Sequence, residues 1–203
     1  MEFTFVGADP RFLHLKRRLE ADGHVLTPDS RSIIAPPAER RGIPYWDDPI
    51  YTIENAALTA EGALELIMRR ADRSLPELSV LVAGFGRIGS LLAHKLAALG
   101  AKVTVAARSP EARALASARG HNSVDINCMT DVYDVLVNTV PAQILRGDHG
   151  ASLCLDLASA PGGWADNTPV LKAPGLPGLY APRSGADVMA DAIYRVLEVD
   201  IIE

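Results

Sequence analysis

The stretch "SVLVAGFGRIGSLLAHKLAALG", residues 79–100, combines two hydrophobic patterns joined by three glycines. Its first five residues form a continuous apolar run, which is typical of a strand buried on both faces of a parallel sheet. Apolar residues then recur at helical spacing up to Gly100, which favours a helix that ends at a glycine. The stretch therefore predicts a strand, a tight turn and a helix.

The glycines of "GFGRIG" have the spacing of a dinucleotide-binding turn. Gly84 would make the turn, Gly86 would let the backbone approach a pyrophosphate, and Gly89 would let the helix pack close to the strand. Arg87 and Ile88 lie at the helix N-terminus, where free amides favour an anion, and belong to the same predicted site. The alternative is a strand–helix turn that binds nothing.

The region that follows alternates between strands and helices. Helices are predicted at about 88–99 and 110–119, the second ending at Gly120. The predicted strands are "KVTVAA", "DVLVNT", "SLCLDLA" and "VLKAP", with a weak one near 121–124. This alternation predicts an α/β fold with a Rossmann-type doubly wound parallel sheet.

The front of the chain predicts a small α/β domain. Strands are expected at Phe3 to Val6, in "HVLTP" and in "SIIAPP", with a helix at about 10–21. Residues 36–52 contain four prolines and are predicted to be loop or linker.

A crossing helix is expected to start near Thr59, with Thr59 as N-cap and Glu61 in the first turn. A closing helix is expected at about 184–198 and should pack back on the small domain. The predicted division is a truncated N-terminal domain (1–52), the crossing helix and connector (53–76), the Rossmann domain (77–182) and the C-terminal helix (183–203).

The end of the second Rossmann strand predicts which dinucleotide binds. NAD-binding proteins place a carboxylate there for the ribose hydroxyls, whereas this strand runs into Arg108 and Ser109. Arginine pairs with a 2′-phosphate, so NADP is the predicted cofactor. The alternative is a solvated arginine. Asn138, Thr139 and Pro141 follow a neighbouring strand and would line the same crevice, although turn chemistry before a proline explains them equally.

Composition excludes several classes of protein. The net charge of −5 disfavours nucleic acid and anionic membrane as partners, and no window approaches the length of a membrane span. The N-terminus does not resemble a signal peptide, so a cytoplasmic location is expected. Cys128 and Cys154 lack metal-ligand spacing; they are predicted to be buried, inert thiols, and no metal site is expected.

Five segments together resemble the family of dehydrogenase-like A subunits of dipicolinate synthase from spore-forming bacteria. They are "ENAALTAEGALELIM" (54–68), "VLVAGFGRIGSLLAHKLAALGAKVTVAARS" (80–109), "VLVNTVPAQIL" (135–145), "LDLASAPGG" (155–163) and "APGLPGLYAPRSGADVMADAI" (173–193). The resemblance spans about residues 53–198, and its crossing helix is similar to that of formate/glycerate dehydrogenase-type folds. The front domain is shorter than the family's.

The resemblance implies an NADP-dependent oxidoreductase. Its substrate would be a cyclic dicarboxylate, dihydrodipicolinate or 4-hydroxytetrahydrodipicolinate, oxidised to dipicolinate during sporulation. A second, flavoprotein-like subunit is the implied partner, and a homodimer is a further expectation.

Substrate and nicotinamide contacts are predicted near the C-terminal segment and the crossing helix. Arg183 precedes the last helix, where it can meet a carboxylate, although a surface role is the alternative. Gly175, Leu176 and Pro177 form a predicted loop that lets the backbone approach the nicotinamide. Thr59 and Glu61 are expected to face the substrate, or else only to cap their helix.

The sequence pattern does not identify a general base, so the catalytic residue is unknown from sequence. Two other functions remain open: a non-catalytic NADP-binding regulatory or assembly subunit, and a different small-molecule reductase.

Overall fold

The structure is a computed structural model that describes residues 1–130 and 132–198. It forms two compact units. The first contains residues 1–58 and the chain from Gly175 onward, and the second contains residues 59–174. The four-part division drawn from the sequence stays a prediction, and residues 199–203 of its last part lie outside the described residues.

The elements follow each other in an alternating order. In chain order they are β1 (Glu2–Phe5), α1 (Phe12–Ala21), β2 (Val25–Leu26), β3 (Ile33–Ile34), α2 (Pro49–Arg70), β4 (Ser79–Ala83), α3 (Arg87–Ala98), β5 (Lys102–Ala107), α4 (Pro110–Ala118), β6 (Asn122–Asp125), β7 (Val135–Asn138), β8 (Leu153–Asp156), β9 (Leu171–Lys172), α5 (Leu176–Tyr180) and α6 (Pro182–Leu197). One-turn 3-10 helices occupy Pro37–Glu39, Tyr45–Asp47 and Leu75–Glu77. In the part of the chain that the structure describes, no helix is both long and apolar enough to cross a membrane.

The second unit contains a six-stranded parallel sheet in the order β6-β5-β4-β7-β8-β9. This is the doubly wound order in which the chain reverses direction across the sheet between β4 and β7. The central strand β4 is buried along almost its whole length because helices cover parallel sheets on both faces. The Rossmann-type fold predicted from the sequence is confirmed.

The first unit contains a three-stranded parallel sheet in the order β2-β1-β3. Helices α1 and α6 pack on each other, and both contribute to one apolar core. Its fully buried side chains include Phe3, Leu15, Leu19, Met189 and Ile193. Each contributes roughly 1.5–3 kcal/mol by leaving water, which stabilises so small a sheet.

Helix α2 begins ten residues before the start predicted near Thr59. Pro49 is its first residue, and Asp48 caps it by accepting the backbone N–H of Tyr51 at 2.6 Å. The prediction that Thr59 is an N-cap is therefore wrong, since Thr59 lies buried in the middle of the helix. The predicted loop at 36–52 likewise contains two 3-10 turns and the start of α2. The sequence Asp-Pro is typical of the Ncap and N1 positions of a helix. This signal was overlooked because the number of prolines in residues 36–52 favoured a loop.

Asp48 also ties α2 to α6 within the first unit. Arg195 donates from Nη2 to Oδ1 at 2.8 Å and from Nε to Oδ2 at 3.1 Å. The Asp48 side chain is only 9% exposed. The hydrogen bonds from Arg195 hold the pKa of Asp48 below its usual value. The pair therefore stabilises the first unit while the carboxylate is ionised.

The two cysteines differ in exposure. Cys154 is buried, and burial raises the pKa of its thiol to about 11. Cys128 is exposed, so the prediction that both thiols are buried is wrong for this residue. It follows β6 in an irregular segment, where no sheet or helix covers it.

Replacing Asp48 should destabilise the first unit in two separable steps. Asp48→Asn keeps a good N-cap but loses the charge, whereas Asp48→Ala loses both. We expect Asp48→Ala to lower the free energy of unfolding by about 1 kcal/mol more than Asp48→Asn, measured by urea denaturation at pH 7.

The advantage of the parent over Asp48→Asn should depend on pH. A depressed carboxylate pKa contributes stability above the unfolded value of about 3.9, and that contribution is lost as the pH falls through the folded value. Equal stability of the parent and Asp48→Asn at pH 7 would contradict the role of the ion pair.

Candidate functional site

Two of the three glycines in the turn between β4 and α3 are needed for the packing of the protein itself, whether or not a ligand binds. Gly84 has a φ of +94°, and a methyl group placed on it would lie 2.5 Å from the Thr139 hydroxyl oxygen. A methyl group on Gly89 would lie 2.2 Å from the carbonyl oxygen of Gly84. At Gly84 a side chain would meet the Thr139 and Val140 side chains in a backbone conformation that favours glycine, whereas at Gly89 it would meet backbone. Gly89 therefore lets α3 pack close to the end of β4.

Gly86 is different, because nothing in the protein requires it to be glycine. Its φ of −80° suits any residue, and a methyl group placed there would meet no heavy atom within 4 Å. An exposed glycine in a helix N-cap position therefore leaves open space directly above the backbone. The residue fits a site where an external group approaches the chain closely.

The electrostatics at this turn favour an anion. The first turn of α3 contains no acidic residue, and its first residue is the exposed Arg87. A cation at a helix N-terminus faces the positive end of the helix dipole, which is unfavourable unless an anion binds. Ile88 is half-buried beside it. The turn between β4 and α3 thus fits a pyrophosphate that is bound by the amides at the N-terminus of α3.

Thr139 braces the turn from the neighbouring strand. Its backbone N–H and its hydroxyl both donate to the carbonyl oxygen of Ala83, at 2.9 and 2.8 Å. It follows β7, so the ends of β4 and β7 meet at the point where the sheet order reverses. Ligands of doubly wound sheets bind at this point. Pro141 lies exposed two residues further on.

Asn138 is fully buried and holds a loop in place. Its Nδ2 donates to Asp156 Oδ1 at 2.7 Å and to the Val140 carbonyl at 3.0 Å, while its Oδ1 accepts from Val140 N–H. Asp156 Oδ2 in turn accepts from the backbone N–H of Gly163 at 3.0 Å. The Asn138 amide therefore holds the segments after β7 and β8 in place. A direct contact between Asn138 and a nucleotide stays a prediction.

The end of β5 carries more charge than the sequence predicted. Arg108 is exposed and follows the strand directly. The Ser109 hydroxyl caps α4 by accepting the N–H of Ala112 at 3.2 Å, and it donates to the carboxylate of Glu111.

A second arginine and a second carboxylate lie at the same place. Arg113 donates to the carbonyls of Ala107 and Arg108, and it pairs with Asp125 at the end of β6. The expectation that no carboxylate lies at this strand end is therefore corrected. Helical spacing could have revealed Glu111 and Arg113, whereas Asp125 reaches the site only through strand pairing.

The residues predicted to contact substrate or nicotinamide lie in both units. Gly175 precedes α5, and the predicted loop is in fact this short helix, in which Leu176 and Pro177 are buried. Arg183 is exposed in the first turn of α6. These four residues belong to the first unit.

The two predicted residues of α2 belong to the second unit and have partners there. Glu61 forms an ion pair with Lys95 of α3 at 3.0 Å. Thr59 is buried and engaged within the protein. Their proposed contact with substrate stays a prediction. The alternative of capping is wrong for both, and Glu61 does not lie in the first turn, because both residues follow the first ten residues of α2.

The sequence analysis missed a buried charge pair in the first unit. Arg11 is 6% exposed; its Nε and Nη2 donate to both oxygens of Asp9, at 2.8 and 2.7 Å. Its Nη1 donates to the Tyr51 hydroxyl at 3.3 Å and to Asn55 Oδ1 at 3.1 Å. Burial alone would raise the pKa of Asp9, but hydrogen bonds from Arg11 outweigh it and leave the pKa below its usual value. The pair fastens the loop after β1 to α2.

No metal centre is formed by the residues that the structure describes: none of their histidine, cysteine and acidic side chains gather in groups of three or more suited to a metal ion.

The glycine turn lies in a segment that is similar to a domain of known dehydrogenases. Residues 56–144 match the NAD-binding domain of D-isomer specific 2-hydroxyacid dehydrogenases. The chain is 34% identical over 179 residues to the A subunit of dipicolinate synthase from Bacillus subtilis (strain 168). That match covers 81% of this chain but only 60% of the relative.

Solved structures show the same fold. The A subunit of dipicolinate synthase from Bacillus halodurans matches with a TM-score of 0.80 and 21% identity, covering 97% of both chains. The corresponding structure from Bacillus subtilis matches with a TM-score of 0.78 and 22% identity, covering 98% of this chain and 96% of that one. The predicted resemblance to the A subunit of dipicolinate synthase is confirmed, and residues 56–144 are similar to a domain that binds a nicotinamide cofactor.

Substitutions at the three glycines should separate folding from binding. Gly84→Ala and Gly89→Ala should lower the free energy of unfolding by about 1–3 kcal/mol, because each methyl group overlaps fixed backbone or the Thr139 hydroxyl. Gly86→Ala should stay within about 0.5 kcal/mol of the parent.

The same Gly86→Ala variant should bind NADPH at least about tenfold more weakly, because its methyl group occupies the space predicted for the pyrophosphate. Chemical denaturation and calorimetric titration give the two readouts. Unchanged NADPH affinity in Gly86→Ala would show that the open space is not the binding site.

Proposed function

Because the chain resembles the A subunit of dipicolinate synthase in sequence and in fold, we propose that it is an NADP-dependent oxidoreductase. The proposed reaction oxidises dihydrodipicolinate, or its precursor 4-hydroxytetrahydrodipicolinate after loss of water, to dipicolinate. The proposal that a dinucleotide binds is supported mainly by the open space at Gly86, since the packing of the protein does not require a glycine there. The substrate part rests on the resemblance.

The preference for NADP is supported by the charges at the end of β5. Arg108 is exposed and directly follows the strand whose end meets the adenosine ribose in this fold. A guanidinium pairs with phosphate through two parallel hydrogen bonds, which a ribose hydroxyl cannot reproduce. Ser109 adds a hydroxyl at the start of α4.

The proposed chemistry divides between cofactor and protein. A bound nicotinamide cofactor would supply the acceptor for the hydride that leaves the ring of the substrate. A proton leaves the ring for solvent, and the product is the aromatic dicarboxylate. The protein supplies position and charge: the α3 amides hold the pyrophosphate, and Thr139 keeps the turn in shape.

Substrate and nicotinamide contacts are proposed at an exposed arginine and at the turn that opens α5. Arg183 is exposed at the start of α6 and offers a fork of donors for a carboxylate. Gly175 has a φ of +70° and opens α5, where Leu176 and Pro177 fix the backbone by burial. Contact of these residues with substrate and nicotinamide is part of the proposal.

The partner subunit and the biological role follow from the resemblance, whereas the homodimer and the location are expectations from the sequence itself. A second, flavoprotein-like subunit, a homodimer, a cytoplasmic location and a role in sporulation are all part of the proposal. A non-catalytic NADP-binding regulatory or assembly subunit is the competing function.

Turnover distinguishes these two functions. Purified protein mixed with NADP and the cyclic dicarboxylate, with and without the partner subunit, should produce NADPH absorbance. NADPH binding without turnover under both conditions would contradict catalysis and support the non-catalytic function.

Arg108→Ala should weaken NADPH binding at least about tenfold and leave NADH binding nearly unchanged, since the variant loses only contacts to the 2′-phosphate. Arg70→Ala is the matched control, because Arg70 is an exposed arginine of the same unit at the far end of α2. Fluorescence titration with both nucleotides measures the effect. An Arg108→Ala variant that binds NADPH as tightly as the parent would contradict the proposed preference.

A further inference from the structure

Arg113 is held against the end of β5 by an unusual set of hydrogen bonds. It lies in the first turns of α4, and its Nη1 donates to the carbonyl oxygens of Ala107 and Arg108, both at 2.8 Å. Its guanidinium is therefore fixed at the strand end where the adenosine ribose binds in this fold. A cation near a helix N-terminus opposes the helix dipole, so the position needs a reason other than helix stability.

Asp125 partly neutralises this arginine. It ends β6 directly opposite Ala107 in the sheet, and its Oδ2 accepts from Arg113 Nη1 at 2.9 Å. The other oxygen accepts from the backbone N–H of Asn127 at 2.9 Å. The hydrogen bond from Asn127 and the charge of Arg113 hold the pKa of Asp125 below its usual value.

The guanidinium of Arg113 has N–H groups that its hydrogen bonds to Ala107, Arg108 and Asp125 do not use. All three hydrogen bonds above use Nη1, and within residues 1–130 and 132–198 its Nε and Nη2 have no hydrogen-bond partner. The side chain is 24% exposed, so these donors are positioned but accessible. A phosphate accepts two parallel N–H bonds from such a fork.

Glu111 opposes an anion at the same place. It is exposed in the first turn of α4, and its carboxylate accepts a hydrogen bond from the Ser109 hydroxyl. While that bond persists, the hydroxyl is not available to a phosphate, and the carboxylate repels one. The strand end therefore contains two arginines and two carboxylates in balance.

We propose that Arg113 is a second ligand of the 2′-phosphate of a phosphorylated adenosine, and that Asp125 and Glu111 limit its affinity. This rests on the proposed nucleotide site at the glycine turn. In this arrangement Arg108 and Arg113 approach the phosphate together. Replacing either carboxylate by its amide strengthens binding, because the amide removes repulsion and releases the charge of Arg113.

Four variants test the proposal: Arg113→Met, Asp125→Asn, Glu111→Gln and the control Arg70→Met. The probes are NADPH, NADH, adenosine 2′,5′-bisphosphate and ADP, titrated by calorimetry. We expect Arg113→Met to weaken NADPH and the 2′,5′-bisphosphate at least about tenfold, with NADH and ADP within about twofold. Asp125→Asn and Glu111→Gln should strengthen NADPH by about two- to fivefold, while the control changes nothing.

The selectivity of Arg113→Met separates ligand binding from a structural role, because a purely structural Arg113 would affect NADPH and NADH alike. For Asp125→Asn, a carboxylate that limits phosphate affinity predicts a higher NADPH to NADH ratio, whereas an unchanged ratio or a fall of both affinities contradicts that limit. Either result overturns the proposal, as does an Arg113→Met variant that weakens both nucleotides equally. If the parent binds neither nucleotide, the nucleotide site itself fails. If the parent prefers NADPH but the ratio is the same in all variants, only the role of Arg113 fails.

Discussion

The second unit depends on the close approach of α3 to the end of β4. Gly89 lies directly over the carbonyl oxygen of Gly84, at a separation that leaves no room for a methyl group. This contact sets the angle at which α3 leaves the sheet. On the side of β7, the Thr139 hydroxyl donates a hydrogen bond to the Ala83 carbonyl oxygen and holds the end of β4 in place. The helix N-terminus consequently points at the crevice between β4 and β7. A dinucleotide site in this fold is a consequence of that packing.

Charge is used differently in the two units. In the first unit, the Asp9–Arg11 and Asp48–Arg195 pairs are mostly shielded from water, and each fastens a loop or helix start to another element. Such pairs position structure, because desolvation offsets much of their attraction. At the end of β5 the charges are more exposed and opposed in sign, so their balance can change when an anion binds. The first arrangement suits rigidity and the second suits recognition.

Most of the fold could be predicted from local pattern, because β4, α3 and β5 each carry their own hydrophobic period and glycine ends. The start of α2 could not be read from proline content, since Pro49 initiates a helix that Asp48 caps. The position of Asp125 beside the end of β5 was hidden because it arises from pairing between β5 and β6. Sequence also could not show that Gly86 alone of the three glycines is free of packing constraints, which is a property of neighbouring atoms.

A crystal structure of the protein with NADPH would show directly whether the turn between β4 and α3 binds the dinucleotide. We expect pyrophosphate oxygens within hydrogen-bond distance of the amides at the start of α3, packed against Gly86. A nucleotide bound elsewhere, or a pyrophosphate kept away from Gly86, would contradict this expectation.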